Sequence, residues 1–321
     1  MARHWASCSL VDQPCSELYG GGMAESLIQF NDRVAIVTGA GRGLGREHAL
    51  FLAARGAKVV VNDSSSEHAA ATANDIVQRG GIAIPDTHSV AEPDAASAII
   101  KTALDEFGAL HIVLNNAGRG GPTGTIEQTT DQQVATIIST HLVGSYNVSR
   151  AAWAHFRQQR FGRILMTSSS AAIGSLGMPA YSMAKAGLIG LARSLALEGA
   201  ADNILVNVLM PIGYTRSAAL NPNEDTRKWM EDNFGPQMCS PAAAWLVHDD
   251  VPCSGQIFTT GAGRTALIST MGIPGWSGGP DATIEGLRDH WSEVVDPTGS
   301  VPMTYSRDDL RFYTGPATWR D

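Results

Sequence analysis

The chain has 321 residues, of which 44% are hydrophobic and 17% charged, and its formal net charge at pH 7 is −8. This composition suffices for a sizeable buried core. The acidic balance disfavours a nucleic-acid-binding protein, because such proteins usually present a basic face. No apolar run reaches the roughly 18 residues of a membrane-spanning helix, so we expect no membrane segment.

The N-terminal segment, residues 1–27, lacks the apolar stretch of a secretory signal and contains a glycine run at 20–22. We interpret it as a flexible leader, because a short glycine-containing end is seldom tied into a core.

The cysteines and histidines show no metal-binding spacing. The cysteines are Cys8, Cys15, Cys239 and Cys253. None of them forms a CxxC motif or a zinc-type pair, and this favours reduced thiols in a cytoplasmic protein. Ligand spacing is also lacking at His48, His68, His88 and His111. We therefore expect no metal site.

Short apolar runs alternate with amphipathic stretches from residue 33 onward. Apolar, β-branched runs predict strands at 33–37, 58–61, 82–84, 110–114, 163–167, 204–209 and 255–259. Helical spacing predicts a helix from Leu44 to Arg55 and further helices at 67–79, 94–107, 131–158, 181–199 and 241–247. Alternating strands and helices form βαβ units, so we predict an α/β fold whose parallel sheet is covered on both faces.

The regular pattern weakens after residue 263. The segment 272–280 is rich in glycine and proline, and residues 284–294 predict one more helix. We divide the chain into the leader, one domain at 28–263, and a C-terminal extension at 264–321. We expect this extension to pack on the domain or on a neighbouring subunit.

A glycine-rich turn joins the first strand to the first helix. Gly39, Gly43 and Gly45 have the spacing G-x-x-x-G-x-G. Glycines permit a close approach of the backbone to a pyrophosphate, and the following helix N-terminus offers free N–H groups. The turn therefore predicts a dinucleotide site, to which Arg42 and Leu44 also belong.

Two residues near this turn bear on the identity of the dinucleotide. Asp63 follows the second strand, where a carboxylate can accept hydrogen bonds from both ribose hydroxyls and would repel a 2′-phosphate. Arg42 argues for NADP, because a basic side chain can bind that phosphate. We favour NAD, because a carboxylate facing a dianion costs more than one flexible arginine returns.

A tyrosine and a lysine predict the catalytic groups. Tyr181 and Lys185 lie four residues apart on a predicted helix, so they share one face. A nearby ammonium and a cationic nicotinamide would lower the pKa of the tyrosine, which could then take the proton of a hydroxyl group. An upstream serine at the end of a strand, among residues 168–170, could hold the substrate oxygen.

These motifs resemble, in order and spacing, those of the short-chain dehydrogenase/reductase family. The matching segments are 38–45, 115–118, 168–170, 181–185 and 207–211. The resemblance implies a single Rossmann-fold domain with a doubly wound, seven-stranded parallel sheet. It also implies that Tyr181 acts as acid and base, that Lys185 orients the ribose, and that a serine binds the substrate.

Two serines compete for that last role. The usual family spacing before Tyr181 points to Ser168, whereas a count along the strand from residue 162 points to Ser169. We favour Ser169 as the catalytic serine and place Ser168 beside the nicotinamide. With Ser169 in this role, the loop before Tyr181 is one residue shorter than usual in the family. Such a deletion is easier in a surface loop than in a buried strand.

A histidine narrows the resemblance within the family. His141 stands where the family usually has an asparagine, and a neutral histidine can still bind a water that relays protons to Lys185. The chain here resembles the D-3-hydroxyacyl-CoA dehydrogenase part of peroxisomal multifunctional enzymes of type 2. The segments that carry this are 59–63, 141–145, 150–153, 162–168, 261–263 and 283–291.

This resemblance implies further contacts and an assembly. It implies cofactor contacts from Ser89, Val90 and Asn116 to the adenine and its ribose, from the neighbouring Ala117 and Gly118, and from Pro211 and Ile212 to the nicotinamide. It also suggests a homodimer or a homotetramer.

We therefore expect an NAD-dependent oxidoreductase that interconverts a secondary alcohol and a ketone, with a 3-hydroxyacyl-CoA or a hydroxysteroid as the leading substrate. The loops 119–124, 173–180 and 212–238 differ from that subgroup, and such loops build the substrate pocket in this family. Two alternatives stay open: a short-chain dehydrogenase for another small alcohol, such as a terpenoid or sugar, and a catalytically silent NAD-binding sensor. The intact Tyr181 and Lys185 argue against the sensor.

Overall fold

The strands and helices alternate along most of the chain. The computed structural model of the protein describes residues 27–121, 123–219, 223–310 and 312. The strands are β1 (Val34–Thr38), β2 (Lys58–Asn62), β3 (Ile82–Asp86), β4 (Ile112–Asn115), β5 (Gly162–Thr167), β6 (Ile204–Pro211), β7 (Ile257–Gly261), β8 (Arg264–Ile268), β9 (Thr270–Gly272) and β10 (Val301–Met303). The predicted leader lies outside the described residues, apart from Leu27.

The helices fill the intervals between the strands, as the sequence pattern indicates. They are α1 (Gly43–Ala53), α2 (Ser66–Gln78), α3 (Pro93–Phe107), α4 (Asp131–Ile138), α5 (Gly144–Gln159), α6 (Pro179–Gly199), α7 (Arg216–Ala219), α8 (Glu224–Asn233), α9 (Ser240–Trp245), α10 (Ile284–Asp289) and α11 (Trp291–Val294). A π-helical segment, Ser139–Val143, joins α4 to α5, so the long helix predicted at 131–158 is interrupted at its middle.

One twisted sheet organises the molecule. Its strand order is β3-β2-β1-β4-β5-β6-β7-β8, and the first seven strands of the chain are all parallel. β2 and β3 follow β1 toward one side of the sheet, whereas β4 to β7 lie on its other side. The parallel strands β1 and β4 are neighbours at this switch in the order, and their carboxyl ends lie side by side, with Val37 opposite Leu114. In doubly wound sheets such a switch point opens a crevice where ligands bind.

The prediction of a doubly wound parallel sheet is confirmed, and the structure adds one strand to it. β8 pairs with β7 in the antiparallel direction, from Ile257 opposite Ile268 to Gly261 opposite Arg264. The hairpin turn contains Ala262 and Gly263, both at positive φ. The helix predicted at 284–294 is divided into α10 and α11, with His290 between them.

Alternating residues of the buried strands supply two separate hydrophobic layers. Ile36 of β1 packs with the helices of one face, where α3, α5 and α6 lie. Its neighbour Val37 packs on the opposite face, against α1 and α9. Because both faces are covered, the strands are apolar throughout, and they hold their carboxyl ends in fixed positions.

Candidate active site

A cleft of about 1020 Å³ opens along the carboxyl ends of the parallel strands. Every residue that the sequence assigned to catalysis or cofactor binding lines it, with one exception. The exception is Ile212, which directly follows the lining residue Pro211 and is hydrogen-bonded through its backbone N–H to the carbonyl of Thr260.

At Gly39 and Gly45, the turn between β1 and α1 leaves no room for a side chain. A Cβ atom on Gly39 would lie 2.8 Å from the Cα of Ala117, and one on Gly45 would collide with the carbonyl oxygen of Gly39. The first turn of α1 has no side-chain cap, because Arg42 at the N-cap makes no capping hydrogen bond. Free N–H groups, the helix dipole and a close backbone approach together fit the pyrophosphate of a dinucleotide.

Thr38 fixes the neighbouring loop against this turn. Its hydroxyl donates to the carbonyl of Leu114 and accepts from the backbone N–H groups of Asn116 and Ala117, at 3.0 and 2.9 Å. The Asn116 side chain donates in return to the carbonyls of Thr38 and Gly39. The ends of β1 and β4 are thereby locked together where a cofactor would cross the sheet.

A carboxylate stands at the far end of the turn. The two oxygens of Asp63 accept from the backbone N–H groups of Gly41, at 3.1 Å, and Ser65, at 3.0 Å. These bonds fix the carboxylate on the cleft wall, where its remaining lone pairs can accept hydrogen bonds from a ribose. Asp63 therefore has the position that the sequence predicted for it.

The structure adds a histidine at this end of the cleft. His88 lines the cleft next to Ser89 and Val90, and its Nδ1 lies 2.9 Å from an oxygen of the buried Asp86. Sequence reasoning considered His88 only as a metal ligand. Its place directly before Ser89 was the signal that could have identified it.

Tyr181, Lys185 and Ser169 converge at the other end of the cleft. α6 presents the tyrosine and the lysine on one face, and the Nζ of Lys185 lies 5.5 Å from the centroid of the Tyr181 ring. The Ser169 hydroxyl lies close enough to the Tyr181 hydroxyl to lower its pKa by hydrogen bonding. Lys185 is buried and donates to the carbonyl of Thr167 at 2.6 Å.

The two serines that the sequence left in competition have different surroundings. Ser168 is buried, and its hydroxyl donates to the backbone carbonyl of Lys185 at 2.8 Å. The hydroxyl of Ser169, one residue further, accepts from the backbone N–H of Ala171 at 3.2 Å and is within hydrogen-bonding reach of Tyr181. Both line the cleft, but the geometry places only Ser169 beside the tyrosine hydroxyl.

Burial dominates the proton affinities at this site. It raises the pKa of the Tyr181 hydroxyl, and the hydrogen bond with Ser169 offsets this only in part. It also lowers the pKa of Lys185 to about 7. The sequence predicted a lowered tyrosine pKa. The difference arises because the Lys185 ammonium is hydrogen-bonded to a carbonyl and not to the phenol, while burial disfavours the phenolate.

His141 lies in the π-helical segment, beside the reactive groups. Its ring meets the Tyr181 ring edge-on, and its Nε2 lies 2.9 Å from the carbonyl oxygen and 3.1 Å from the amide nitrogen of Arg119. Burial, and next the positive charge of Lys185, lowers the pKa of His141 to about 3. A side chain on Gly118 would strike the imidazole, so the neutral ring closes the floor of the cleft.

Several polar residues of the cleft wall were not assigned individually from the sequence, although Arg119 and Thr215 belong to loops that it associated with the substrate pocket. Besides His88 they are Asn62, Ser64, Arg119, Gln132, Gln133, Thr136, Ser139, Thr140, Thr167 and Thr215. Most lie on loops or on the exposed side of α4, where no motif distinguishes them. Among these residues, Arg119 could have been assigned to the cleft from the sequence, because it directly follows the Asn115–Gly118 motif.

In the part of the chain that the structure describes, no group of three or more His, Cys, Asp or Glu side chains could hold a metal ion. No helix within the same residues is long and apolar enough to cross a membrane. Cys239 is a buried thiol.

Comparisons with known proteins agree with this geometry. The family model described as short chain dehydrogenase matches residues 33–228. A short-chain type dehydrogenase/reductase of Mycobacterium tuberculosis is 39% identical over 280 residues, which cover 84% of this chain and 96% of that protein.

Two solved structures are also similar. Full-length peroxisomal multifunctional enzyme type 2 of Drosophila melanogaster has a TM-score of 0.75 and 32% identity; the match covers 88% of this chain and 48% of that one. The chain thus spans about half the length of that enzyme. A 7α-hydroxysteroid dehydrogenase complexed with NADH and 7-oxo glycochenodeoxycholic acid has a TM-score of 0.67 and 28% identity; the match covers 73% of this chain and 95% of that one. The chain belongs to the short-chain dehydrogenase family and is an oxidoreductase that acts on CH–OH groups.

Proposed function

We propose that the protein is an NAD-dependent dehydrogenase that interconverts a secondary alcohol and a ketone, with a 3-hydroxyacyl-CoA or a hydroxysteroid as substrate. The observation that carries this proposal is the convergence of Ser169, Tyr181 and Lys185 at one end of a cleft. The other end of the same cleft has the glycine turn and Asp63.

Each of these side chains has a distinct role in the reaction. The Ser169 hydroxyl holds the substrate oxygen, and the Tyr181 hydroxyl takes its proton during oxidation and returns it during reduction. Lys185 is buried beneath them, where its ammonium can bind a ribose and favour the phenolate. When bound, the nicotinamide supplies or accepts the hydride.

His141 completes the proton path in this proposal. Its neutral imidazole has a buried Nδ1 with no hydrogen-bond partner among the described residues. Buried polar atoms of this kind are commonly satisfied by an ordered water. A water at Nδ1 would connect His141 with Lys185 and so carry protons away from Tyr181.

The preference for NAD rests on Asp63. Its carboxylate is held on the cleft wall by two backbone N–H groups, so it cannot easily turn away from a 2′-phosphate. Arg42 is exposed at the N-cap of α1 and could favour NADP. A fixed carboxylate facing a phosphate dianion outweighs one flexible arginine.

The substrate classes are suggested by the relatives. The sequence resemblance to the D-3-hydroxyacyl-CoA dehydrogenase part of peroxisomal multifunctional enzymes of type 2 supports a hydroxyacyl thioester, and the 7α-hydroxysteroid dehydrogenase named above supports a hydroxysteroid. The loop between β4 and α4 and the loop between β5 and α6 flank the catalytic end of the cleft, and they decide between these classes. A terpenoid or sugar alcohol would use the same catalytic groups with a different fit to these loops.

Initial rates measured with purified protein test the proposal. The substrates are 3-hydroxyacyl-CoAs, hydroxysteroids, and terpenoid and sugar alcohols, each with NAD and with NADP. Turnover of the first or second class with NAD would support it. Turnover of other alcohols alone would preserve the mechanism but refute the substrate class. Tight NADH binding without any turnover would indicate a sensor instead.

The assembly and the location belong to the same proposal. α5 and α6 lie next to each other and expose Tyr146, Met183 and Leu197, each at 45% or more. Exposed apolar groups on adjacent helices favour association, so we propose a homodimer or homotetramer, which light scattering would detect. A cytoplasmic location stays a prediction from the cysteine pattern, which cell fractionation would test.

A further inference from the structure

The loop that follows β4 runs along the floor of the cleft from the cofactor end to the catalytic end. Ala117 contacts the glycine turn at Gly39. Gly118, next in the chain, lies against the His141 ring. Gly121 then lies 3.6 Å, measured from an ideal Cβ position, from the Cβ of Tyr181. Arg119 therefore lies in the part of the loop between its contact with His141 and its contact with Tyr181, past the point where the loop leaves the glycine turn.

The backbone of Arg119 is held firmly at this place. Its carbonyl oxygen and its amide nitrogen both contact Nε2 of the buried His141, at 2.9 and 3.1 Å. Further along, the N–H of Gly124 donates to the carbonyl of Gly177 at 2.8 Å, which ties this loop to the loop before α6. Rigid anchoring of this kind is what a specificity residue requires, because it fixes where the side chain starts.

The side chain of Arg119 is available to a ligand. The residue is exposed and lines the cleft, and among the described residues no carboxylate lies within ion-pair distance of its guanidinium. Its positive charge also contributes to the lowered pKa of His141, so the charge acts on the catalytic end.

The charges of the cleft are unusual for an acidic protein. The net charge of the chain is −8, yet the arginines Arg42 and Arg119 line the cleft, and Asp63 is the one carboxylate among the described lining residues. Arg42 and Asp63 lie at the glycine-turn end. No acidic side chain among the described lining residues therefore offsets Arg119 near Tyr181.

We infer that Arg119 binds an anionic group of the substrate and thereby selects alcohols and ketones that carry a carboxylate or a phosphate. This inference rests on the proposed function, since it names the substrate class of that site. A guanidinium pairs with carboxylate and phosphate oxygens in a bidentate manner, which would orient the carbinol carbon toward Tyr181 as well as add affinity. Arg119 is thus a specificity-determining residue and takes no proton.

The competing ligand for Arg119 is the pyrophosphate of the cofactor. The N-terminus of α1 and Arg42 already provide for that group at Gly43–Gly45. Arg119 lies beyond Gly118, on the side of Tyr181, so the position favours the substrate. The affinity for NADH and the KM of the substrate, measured separately, distinguish these two ligands.

The test compares matched substrates that differ in one charge. One pair is a hydroxysteroid carboxylic acid and its methyl ester, and the other is a 3-hydroxyacyl-CoA and the neutral N-acetylcysteamine thioester. They distinguish a carboxylate from the phosphates of CoA as the anion. KM and kcat are measured for the wild type and for Arg119→Gln, Arg119→Lys and Arg119→Glu, and NADH affinity is measured by fluorescence titration.

A matched control removes the same charge elsewhere. Arg157→Gln alters an exposed arginine near the C-terminal end of α5, shortly before β5 begins. It therefore lies at the amino ends of the strands, away from the cleft at their carboxyl ends. Arg157 itself is exposed, and Asp202 retains a second ion pair with Arg160, so the loss should change little.

For Arg119→Gln we expect KM of the anionic member of at least one pair to rise roughly ten- to a hundredfold, because a charge-assisted hydrogen bond is lost. KM of the neutral member and the Kd of NADH should change less than about twofold, as should all values for Arg157→Gln. Arg119→Lys should retain part of the selectivity, and Arg119→Glu should abolish it.

Two results would overturn the inference while the proposed function stands. One is an unchanged ratio of anionic to neutral kcat/KM in all Arg119 variants. The other is weakened NADH binding with that ratio unchanged, which would assign Arg119 to the cofactor. Wild-type protein that binds NADH but turns over neither pair nor any other alcohol would refute the proposed function, and the inference with it.

Discussion

The imidazole of His141 meets the phenol ring of Tyr181 edge-on, with the ring centroids 5.3 Å apart and the planes at 87°. This contact couples a residue of the π-helical segment to the proposed general acid and base. Short π-helical segments often occur at functional sites, and here the segment turns His141 into the cleft floor. Tyr181 is therefore oriented from two elements, α6 and the segment before α5.

Replacement of His141 tests this coupling. We expect His141→Ala to lower kcat by about tenfold, or about 1.4 kcal/mol, because both the edge contact and the proton path are lost. His141→Asn should recover most of that activity, since an amide can also hold a water. Because the pKa of His141 is about 3, kcat between pH 5 and 8 should show no ionisation step that His141→Asn removes. Such a step, or full activity of His141→Ala, would contradict the role proposed here.

The hydroxyl group of Tyr181 carries the acid and base chemistry in the proposed mechanism. We expect Tyr181→Phe to lower kcat by roughly 10²- to 10⁴-fold, the usual range for loss of a general acid or base. The Kd of NADH, measured by fluorescence titration, should change little, because the ring and the packing of α6 are retained. Activity within twofold of the wild type would refute the mechanism.

The two neighbouring serines give a direct comparison. Ser169→Ala should lower kcat by roughly a hundredfold, because the substrate oxygen loses its partner. Ser168→Ala should instead remove the buried hydrogen bond to Lys185 and lower the free energy of unfolding by about 1 kcal/mol. Rates and urea denaturation of both variants check this, and the reverse pattern would assign catalysis to Ser168.

The sequence predicted the seven parallel strands and the shared position of Tyr181 and Lys185 on α6 for a physical reason. Apolar runs and helical spacing are local properties, and a parallel sheet places the carboxyl ends of its strands at one edge. The spacing of Tyr181 and Lys185 within a helix likewise fixes their common face. None of these features depends on contacts between distant parts of the chain.

Other features do depend on such contacts, and sequence reasoning missed them or left them open. β8 pairs with β7 in the antiparallel direction, through a turn in which Ala262 has a positive φ. Alanine seldom adopts this conformation, so the residue type does not predict the turn. The surroundings of Ser168 and Ser169 depend on where β5 ends against α6. The position of Arg119 depends on a buried histidine 22 residues away.

Asp63 should control the choice between the two dinucleotides. We expect Asp63→Asn to weaken NAD binding and improve NADP binding, so that the ratio of their kcat/KM values falls by roughly tenfold or more, since a charge no longer repels the 2′-phosphate. Arg42→Gln is the matched control at the same end of the cleft and should move the ratio in the opposite direction or leave it unchanged. An NAD preference that survives in Asp63→Asn would locate the discrimination elsewhere.

A buried histidine outside the active site should govern stability at acid pH. His48 of α1 is buried, its Nδ1 lies 2.9 Å from the Ser240 hydroxyl, and burial lowers its pKa from 6.5 to about 4. The unfolded chain therefore binds a proton between pH 6.5 and 4 that the folded chain does not. The contribution of His48 to the free energy of unfolding is fully present above pH 6.5 and is lost as the pH falls, by about 3 kcal/mol at most.

Two variants test this in urea denaturation. His48→Gln should remove this part of the pH dependence. Ser240→Ala retains the imidazole, so it should lower the free energy of unfolding by about 1 kcal/mol at every pH and preserve the slope. Identical pH dependence in His48→Gln and the wild type would show that the imidazole becomes protonated in the folded protein without cost.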